Sequence, residues 1–276
     1  MKNGWRKRKV EKLGLYRVEA VVVKGMDYGE ADRILTLYTK EEGKLNVIAK
    51  GVKKLKSRMR GSVQPFSHSG FILYAGRGNL DTVTQADLIE PFNLLRNDLK
   101  RWAYANYVVE SLNGLVPERL VQKELFILLV ASLHLLAVYD PKTAVSFWHV
   151  KMLSKLGYAP QFENCTICGR TCGEEILWFS AAHGGLLCKE CSDKVVGKIS
   201  LHRGTIAVWN HLSKVNLNKL GRFKIGQPEL QELNKLIERY LEYIMEKPLK
   251  SIDFLGIVGE DDKNNLNLDG KNIFKG

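Results

Sequence analysis

Between Cys165 and Cys191 the chain places four cysteines in two pairs, C-T-I-C and C-K-E-C, with 19 residues between the pairs and a fifth cysteine, Cys172, in the gap. Thiols clustered in this way form disulfides, exchange electrons or hold a metal ion. A C-x-x-C turn lets two sulfurs meet one ion, and two such turns complete the tetrahedral four-thiolate shell that zinc takes in structural sites. The expected ligands are therefore Cys165, Cys168, Cys188 and Cys191 around one Zn2+. Four sulfurs leave no open position for water, so the ion is expected to be structural, folding a segment too small to hold a core of its own. Gly169, directly after the first pair, tolerates the positive φ that such a turn often demands.

The alternatives find less support in the surrounding residues. A thioredoxin-like use of either pair needs a βαβ pattern around it, and a zinc enzyme needs H-E-x-x-H, or H-x-E with P-C-x-x-C; neither motif is present. Cys172 reads as a free small hydrophobe, against a substitute ligand for Cys165 or Cys168, or a redox role. His183, in A-A-H-G-G, reads as an exposed loop histidine rather than a ligand.

A second chemistry resides in K-G-V-K-K-L-K-S-R-M-R, where Lys50, Lys53, Lys54, Lys56, Arg58 and Arg60 fall within eleven residues and no acid lies in the run. Crowded cations repel one another unless a polyanion neutralises them, and each phosphate contact releases counterions. The same bias holds on a larger scale. The net charge is +12, of which residues 1–80 carry +11 and the remainder +1. Nucleic acid is the expected partner of such a surface, a solvated basic face being the bland alternative. Arg33 and Arg77, on strands or their ends, would extend the field. Tyr28, Tyr38, Phe66, Phe71 and Tyr74 lie near enough to stack on bases, although alternation along S-G-F-I-L-Y-A-G sends Phe71 and Leu73 to one face and Ile72 and Tyr74 to the other, so at most half can face a ligand.

These residues must be positioned by the elements around them. L-Y-R-V-E-A-V-V-V-K-G, D-R-I-L-T-L-Y-T, K-L-N-V-I-A-K-G, S-G-F-I-L-Y-A-G and D-T-V-T-Q-A-D-L-I-E are β-branched and aromatic runs between turn signals, five strands in about 80 residues. A five-stranded OB-fold barrel, which offers a strand face and loops to single-stranded nucleic acid, has this signature, and SH3-like barrels share it. From Pro91 the pattern becomes helical, with an Asn or Asp cap before L-K-R-W, a helix expected to open at Pro117, and about five helices in all. The second of these is apolar nearly all round and is expected at the centre of the bundle, Glu124 and His134 arguing against a membrane span. The fold class is α+β and multidomain: a basic extension (1–12), the barrel (13–90), a helical domain (91–258) interrupted by the four-cysteine finger (163–194), and a polar tail (259–276) expected to be disordered. Charges within the finger nearly balance, which favours a structural or protein-contact role. No apolar run is long enough for a bilayer and no secretion signal opens the chain, so a cytoplasmic location with reduced thiols is expected.

Three stretches, taken in order, resemble RecO, a family of bacterial recombination mediators: E-A-V-V-V-K-G-M-D-Y-G-E-A-D-R-I-L-T-L-Y-T-K-E-E-G-K-L-N-V-I-A-K-G-V-K-K-L-K-S-R-M-R-G-S-V-Q-P-F, then G-Y-A-P-Q-F-E-N-C-T-I-C-G-R with C-K-E-C, then K-P-L-K-S-I-D-F-L. The likeness runs from about Leu13 to Val258. It implies an OB-fold, a helical domain with a four-cysteine zinc finger, binding of single- and double-stranded DNA, annealing of complementary strands, association with RecR, and loading of RecA onto DNA coated by single-strand-binding protein. Location at the nucleoid follows when DNA is bound. No turnover is implied, in keeping with the lack of a G-x-x-x-x-G-K-[ST] loop and a G-x-S-x-G elbow. A generic RNA-binding barrel with a zinc module, and a zinc-dependent or redox enzyme, are the other readings. The extension M-K-N-G-W-R-K-R-K-V-E-K and the tail have no counterpart in the family pattern.

Overall fold

A computed structural model of the protein describes residues 14–76, 80–174, 176–216 and 225–257. The extension 1–12, Arg77 and the tail 259–276 lie outside the described residues. Two compact units are formed: one ends at Pro91 and takes in Glu118–Lys123, and the other comprises Phe92–Pro117 and the chain from Glu124 onward.

In the first unit β1 (Gly14–Tyr28), β2 (Asp32–Thr39), β3 (Gly43–Ala49), β4 (His68–Ala75) and β5 (Asp81–Glu90) close a barrel in the order β1-β2-β3-β5-β4. Neighbours are antiparallel except β3 and β5, which pair in parallel through Val47 and Ile48. This order is that of the OB-fold. β1 is long enough to serve two partners. Its first half pairs with β4, its second half pairs with β2, and a bulge between Val22 and Lys24 makes the bend. Alternation then fills the interior with Val18, Ala20, Val22, Leu35, Leu37, Leu45, Val47, Ala49, Phe71 and Leu73. Each fully buried side chain of this kind contributes about 1.5–3 kcal/mol.

The helix expected to open at Pro117 begins six residues later. Glu118 instead forms a parallel bridge with Lys44, and the Arg119 N–H donates to the Lys44 carbonyl at 3.0 Å. Arg119 adopts φ 58°, outside the helical range. A short strap thus returns to the barrel. It passes so close to Gly43, itself at φ 68°, that a Cβ there would lie 2.3 Å from the Leu120 carbonyl oxygen, which only glycine avoids.

The second unit contains α1 (Asn93–Asn97), α2 (Leu99–Leu115), α3 (Lys123–Val138) and α4 (Pro141–Lys155). Asp98 caps α2 by accepting the Arg101 N–H at 2.9 Å, and Asp140 caps α4 by accepting that of Thr143 at 2.8 Å. The three strands β6 (Ile176–Ser180), β7 (Gly185–Leu187) and β8 (Ile199–His202), ordered β7-β6-β8, follow with the single turn α5 (Lys189–Ser192) among them. Helices α6 (Arg203–Lys214), α7 (Gln227–Met245) and α8 (250–257) complete the described residues.

The centre of the bundle is α4, not α3. Helix α4 packs against α2, α6 and α7 and buries Val145 through Val150 without a break, whereas α3 leaves Glu124, Ile127, His134 and Val138 exposed. Polar groups of α4 meet partners on neighbouring helices. Ser146 donates to the Asn234 side chain at 2.8 Å, and His149 Nε2 lies 3.0 Å from the Ser111 hydroxyl, to which Trp148 Nε1 also donates at 3.3 Å. Glu110 on α2 accepts the N–H groups of Lys250 and Ser251 at 3.1 and 2.9 Å, so a carboxylate from another helix caps α8. The stretch K-P-L-K-S-I-D-F-L is where this cap is made.

Candidate metal centre and nucleic-acid interface

The finger is built around its sulfurs. The first C-x-x-C turn is closed by the Gly169 N–H donating to the Cys165 carbonyl at 2.8 Å, with Gly169 at φ 73° as the turn requires. No atom crowds the place where its Cβ would stand, so conformation and not space selects glycine. The second pair rides on α5, where the Ser192 N–H donates to the Cys188 carbonyl at 2.8 Å. Together these turns bring the Sγ atoms of Cys165, Cys168, Cys188 and Cys191 within 4.8 Å of one another, with Cys168 and Cys188 3.7 Å apart. A tetrahedron with Zn–S bonds of about 2.3 Å has an edge of about 3.8 Å. The four sulfurs fit a single metal ion.

Electrostatics within the cluster point the same way. Burial raises the Cys165 thiol, but the N–H groups of Cys168, Cys188 and Ile167 face its sulfur and hold it down to about 6. Cys191 is pushed up to about 12, first by its hydrogen bond with Cys188. Thiols that crowd together share protons, and a cation that replaces those protons relieves the crowding. Cys172 stands outside the four. It is buried among Leu177, Leu186 and Leu187, and burial, followed by the charge of Cys165, pushes its thiol up to about 11. His183, exposed in the β6–β7 turn, bonds through Nδ1 to the Ser180 hydroxyl at 3.0 Å. Finger charges pair with one another, Arg170 with Glu190 at 3.0 Å and Lys198 with Asp193 at 3.7 Å.

The basic run occupies the connection from β3 to β4. Val52 and Val63, at 2% and 1% exposure, belong to the barrel core and Met59 packs against it, so the connection is pinned from beneath. Between these pins the chain is a series of turns tied to the β1–β2 end: the Lys53 N–H donates to the Ala31 carbonyl at 3.0 Å and the Gly51 N–H to Asp32 at 2.7 Å. Lys50, Lys53, Lys54, Lys56, Arg58 and Arg60 are all exposed. Arg33, on β2, joins them at one edge. There the side chains of Arg33, Lys53 and Arg60, with Val52, Val63 and Gln64, line an open cleft of about 250 Å3. Of the aromatic candidates Tyr38, Phe66 and Phe71 are core, while Tyr28 and Tyr74 are exposed.

The run is not free of acids in space. Asp27, at the end of β1, receives Arg33 Nε at 2.9 Å and Lys53 Nζ at 2.8 Å, and its carboxyl is held below the usual carboxylate range by these bonds, that from Lys53 first. Twenty-six residues separate Asp27 from Lys53, so composition of the run gave no sign of it. The cross-strand pairing of Asp27 with Arg33 was the one available signal, and it needs the β1–β2 register.

An OB-fold barrel with an exposed cationic connection, followed by a helical unit carrying a four-cysteine finger, defines a class of two-part chain that combines a nucleic-acid-type barrel with a metal-ligand cluster. The family model described as Recombination protein O N terminal matches residues 13–92, and that described as Recombination protein O C terminal matches residues 96–253. The chain belongs to the RecO family. A protein of Desulforamulus reducens named DNA repair protein RecO is 39% identical over 88% of this chain and 94% of its own length. Proteins of the same name from Pelotomaculum thermopropionicum and Moorella thermoacetica are 37% and 36% identical, over 90% and 94% of this chain and 96% of their own lengths. The resemblance drawn from the three sequence stretches is thereby borne out.

Proposed function

We propose that the protein acts in recombinational DNA repair as a binding and annealing protein without enzymatic turnover. In this reading the barrel unit binds single- and double-stranded DNA through Arg33, Lys50, Lys53, Lys54, Lys56, Arg58, Arg60 and Arg77. It anneals complementary strands and, in association with RecR, helps load RecA onto DNA coated by single-strand-binding protein. The observation that carries the reading is the six exposed cations held outward on a connection that Val52 and Val63 pin to the barrel core. Membership in the RecO family and the relatives' name, DNA repair protein, support the biological setting.

The finger serves this function by shape. One Zn2+ held by Cys165, Cys168, Cys188 and Cys191 would supply folding free energy and no open coordination position. Its charges nearly balance, and Arg170–Glu190 and Lys198–Asp193 pair locally, which favours scaffold or protein contact over a second DNA site. Among the described residues no helix is long and apolar enough to cross a membrane, and the reading places the protein in the cytoplasm, at the nucleoid when bound to DNA.

The test is annealing of labelled complementary strands, bare and coated with single-strand-binding protein. The expected result is acceleration in both cases, with tighter binding to single-stranded DNA than to RNA of the same sequence and length. No acceleration on either substrate would overturn the reading, and a preference for RNA would replace it with a generic RNA-binding function.

A further inference from the structure

We propose that the cleft between Arg33, Lys53 and Arg60 is a single-phosphodiester subsite, and that Asp27 is its built-in competitor, holding two of its cations until a phosphate displaces the carboxylate. The inference deepens the DNA-binding reading and rests on it.

Three cations line the cleft, and no acid is among its lining residues. At about 30 Å3 per water, the 250 Å3 corresponds to about eight water molecules, room enough for a phosphodiester. Val52 and Val63 belong to the barrel core, so the backbone that carries Lys53 and Arg60 is fixed at both ends. Asp27 stands where an anion would bridge two of the cations, with one carboxylate oxygen 2.9 Å from Arg33 Nε and the other 2.8 Å from Lys53 Nζ. Two oxygens of a phosphate can take the same two donors, with Arg60 available as a third. The carboxylate is half-exposed, and exposed ion pairs of this kind contribute little net stability, so exchange is permitted. Once displaced, Asp27 remains beside the phosphate as a like charge and weakens the contact it yields to. A DNA contact of this design is made and broken readily, as annealing requires.

The experiment uses the full chain and a fluorescent oligo-dT strand, titrated at several salt concentrations. Asp27→Asn is compared with Glu30→Gln, which removes the same charge from an exposed residue of the neighbouring turn and leaves the pairs of Asp27 with Arg33 and Lys53 intact. Arg60→Ala is compared with Arg58→Ala, which lies two residues away and outside the cleft. Asp27→Asn should tighten binding several-fold more than Glu30→Gln and steepen the salt slope by about 0.7, the value for one further phosphate on a single strand. Arg60→Ala should lose several-fold more affinity than Arg58→Ala. Equal effects within either pair would overturn the subsite, and weaker binding by Asp27→Asn would make Asp27 a positioning residue instead of a competitor. Failure of the unmutated protein to bind the strand would take down the DNA-binding reading itself, an outcome distinct from both.

Discussion

Arg119 Nη2 lies 3.1 Å from Oδ2 of Asp81, a carboxylate with 2% of its side chain exposed, and the Tyr16 hydroxyl donates to the same oxygen at 2.6 Å. The contact ties the strap after α2 to the first residue of β5. Burial, and then the hydrogen bond to Asp81, raise the Tyr16 hydroxyl far above its ordinary value, so it stays a donor at any working pH.

Removing the guanidinium leaves a buried carboxylate short of its counter-charge. Arg119→Ala is expected to destabilise the barrel by about 2–3 kcal/mol, and Asp81→Asn in the same chain should restore most of the loss. Chemical denaturation of the single and double variants measures the coupling. Additive losses would show that Arg119 contributes only through the backbone of the strap.

What the sequence made legible follows from how local each signal is. The five strands and the gathering of the four cysteines rest on short local spacings, and Gly169 meets the positive φ its place in the C-x-x-C turn demands. The strap did not show, because Pro117 and the residues after it look like a helix start until Lys44, Asp81 and Glu42 are brought alongside from elsewhere in the chain. Asp27 was missed for the same reason. Helix α3 misled by composition. Apolar content marks it as central, but α4 takes that place because Ser111 and Asn234 satisfy polar groups that the pattern counts against burial.

Removal of metal should unfold the finger and spare the barrel. The purified, reduced protein is expected to carry one zinc per chain by elemental analysis, and Cys165→Ser or Cys188→Ser should lose the ion together with cooperative unfolding of the helical unit. Cys172→Ser should keep the ion, at a stability cost of about 1 kcal/mol for a hydroxyl placed among Leu177, Leu186 and Leu187. A fall in metal content in that variant, or a folded protein without metal, would contradict the assignment.

Acid should weaken the helical unit before it titrates most carboxylates. Burial pushes His149 down to about 3, against about 6.5 in an unfolded chain. Between these values the unfolded state binds one more proton than the folded state, so stability falls as pH drops through the window and is unaffected by this group above it. The slope is about 1.4 kcal/mol per pH unit, or about 2 kcal/mol between pH 6.5 and 5. Denaturation of the unmutated protein and of His149→Gln at those two pH values should give a smaller loss for the variant. Identical losses would remove His149 from the account.

The cationic connection separates binding from stability. If Lys50, Lys53, Lys54, Lys56, Arg58 and Arg60 all reach phosphates, log affinity for a single strand should fall against log salt with a slope of roughly −4, at about 0.7 per phosphate. Replacing Lys53, Lys54, Lys56, Arg58 and Arg60 by alanine should remove most of that slope and slow annealing, while the unfolding free energy changes by no more than about 0.5 kcal/mol, because all five side chains are exposed. Leu73→Ala should do the reverse. Its side chain lies in the barrel core and away from the cleft, so its loss costs about 2–5 kcal/mol of stability while leaving every cation in place. A slope near zero in the unmutated protein, or full binding by the five-residue variant, would reduce the run to a solvated turn and move the DNA contact to the helical unit.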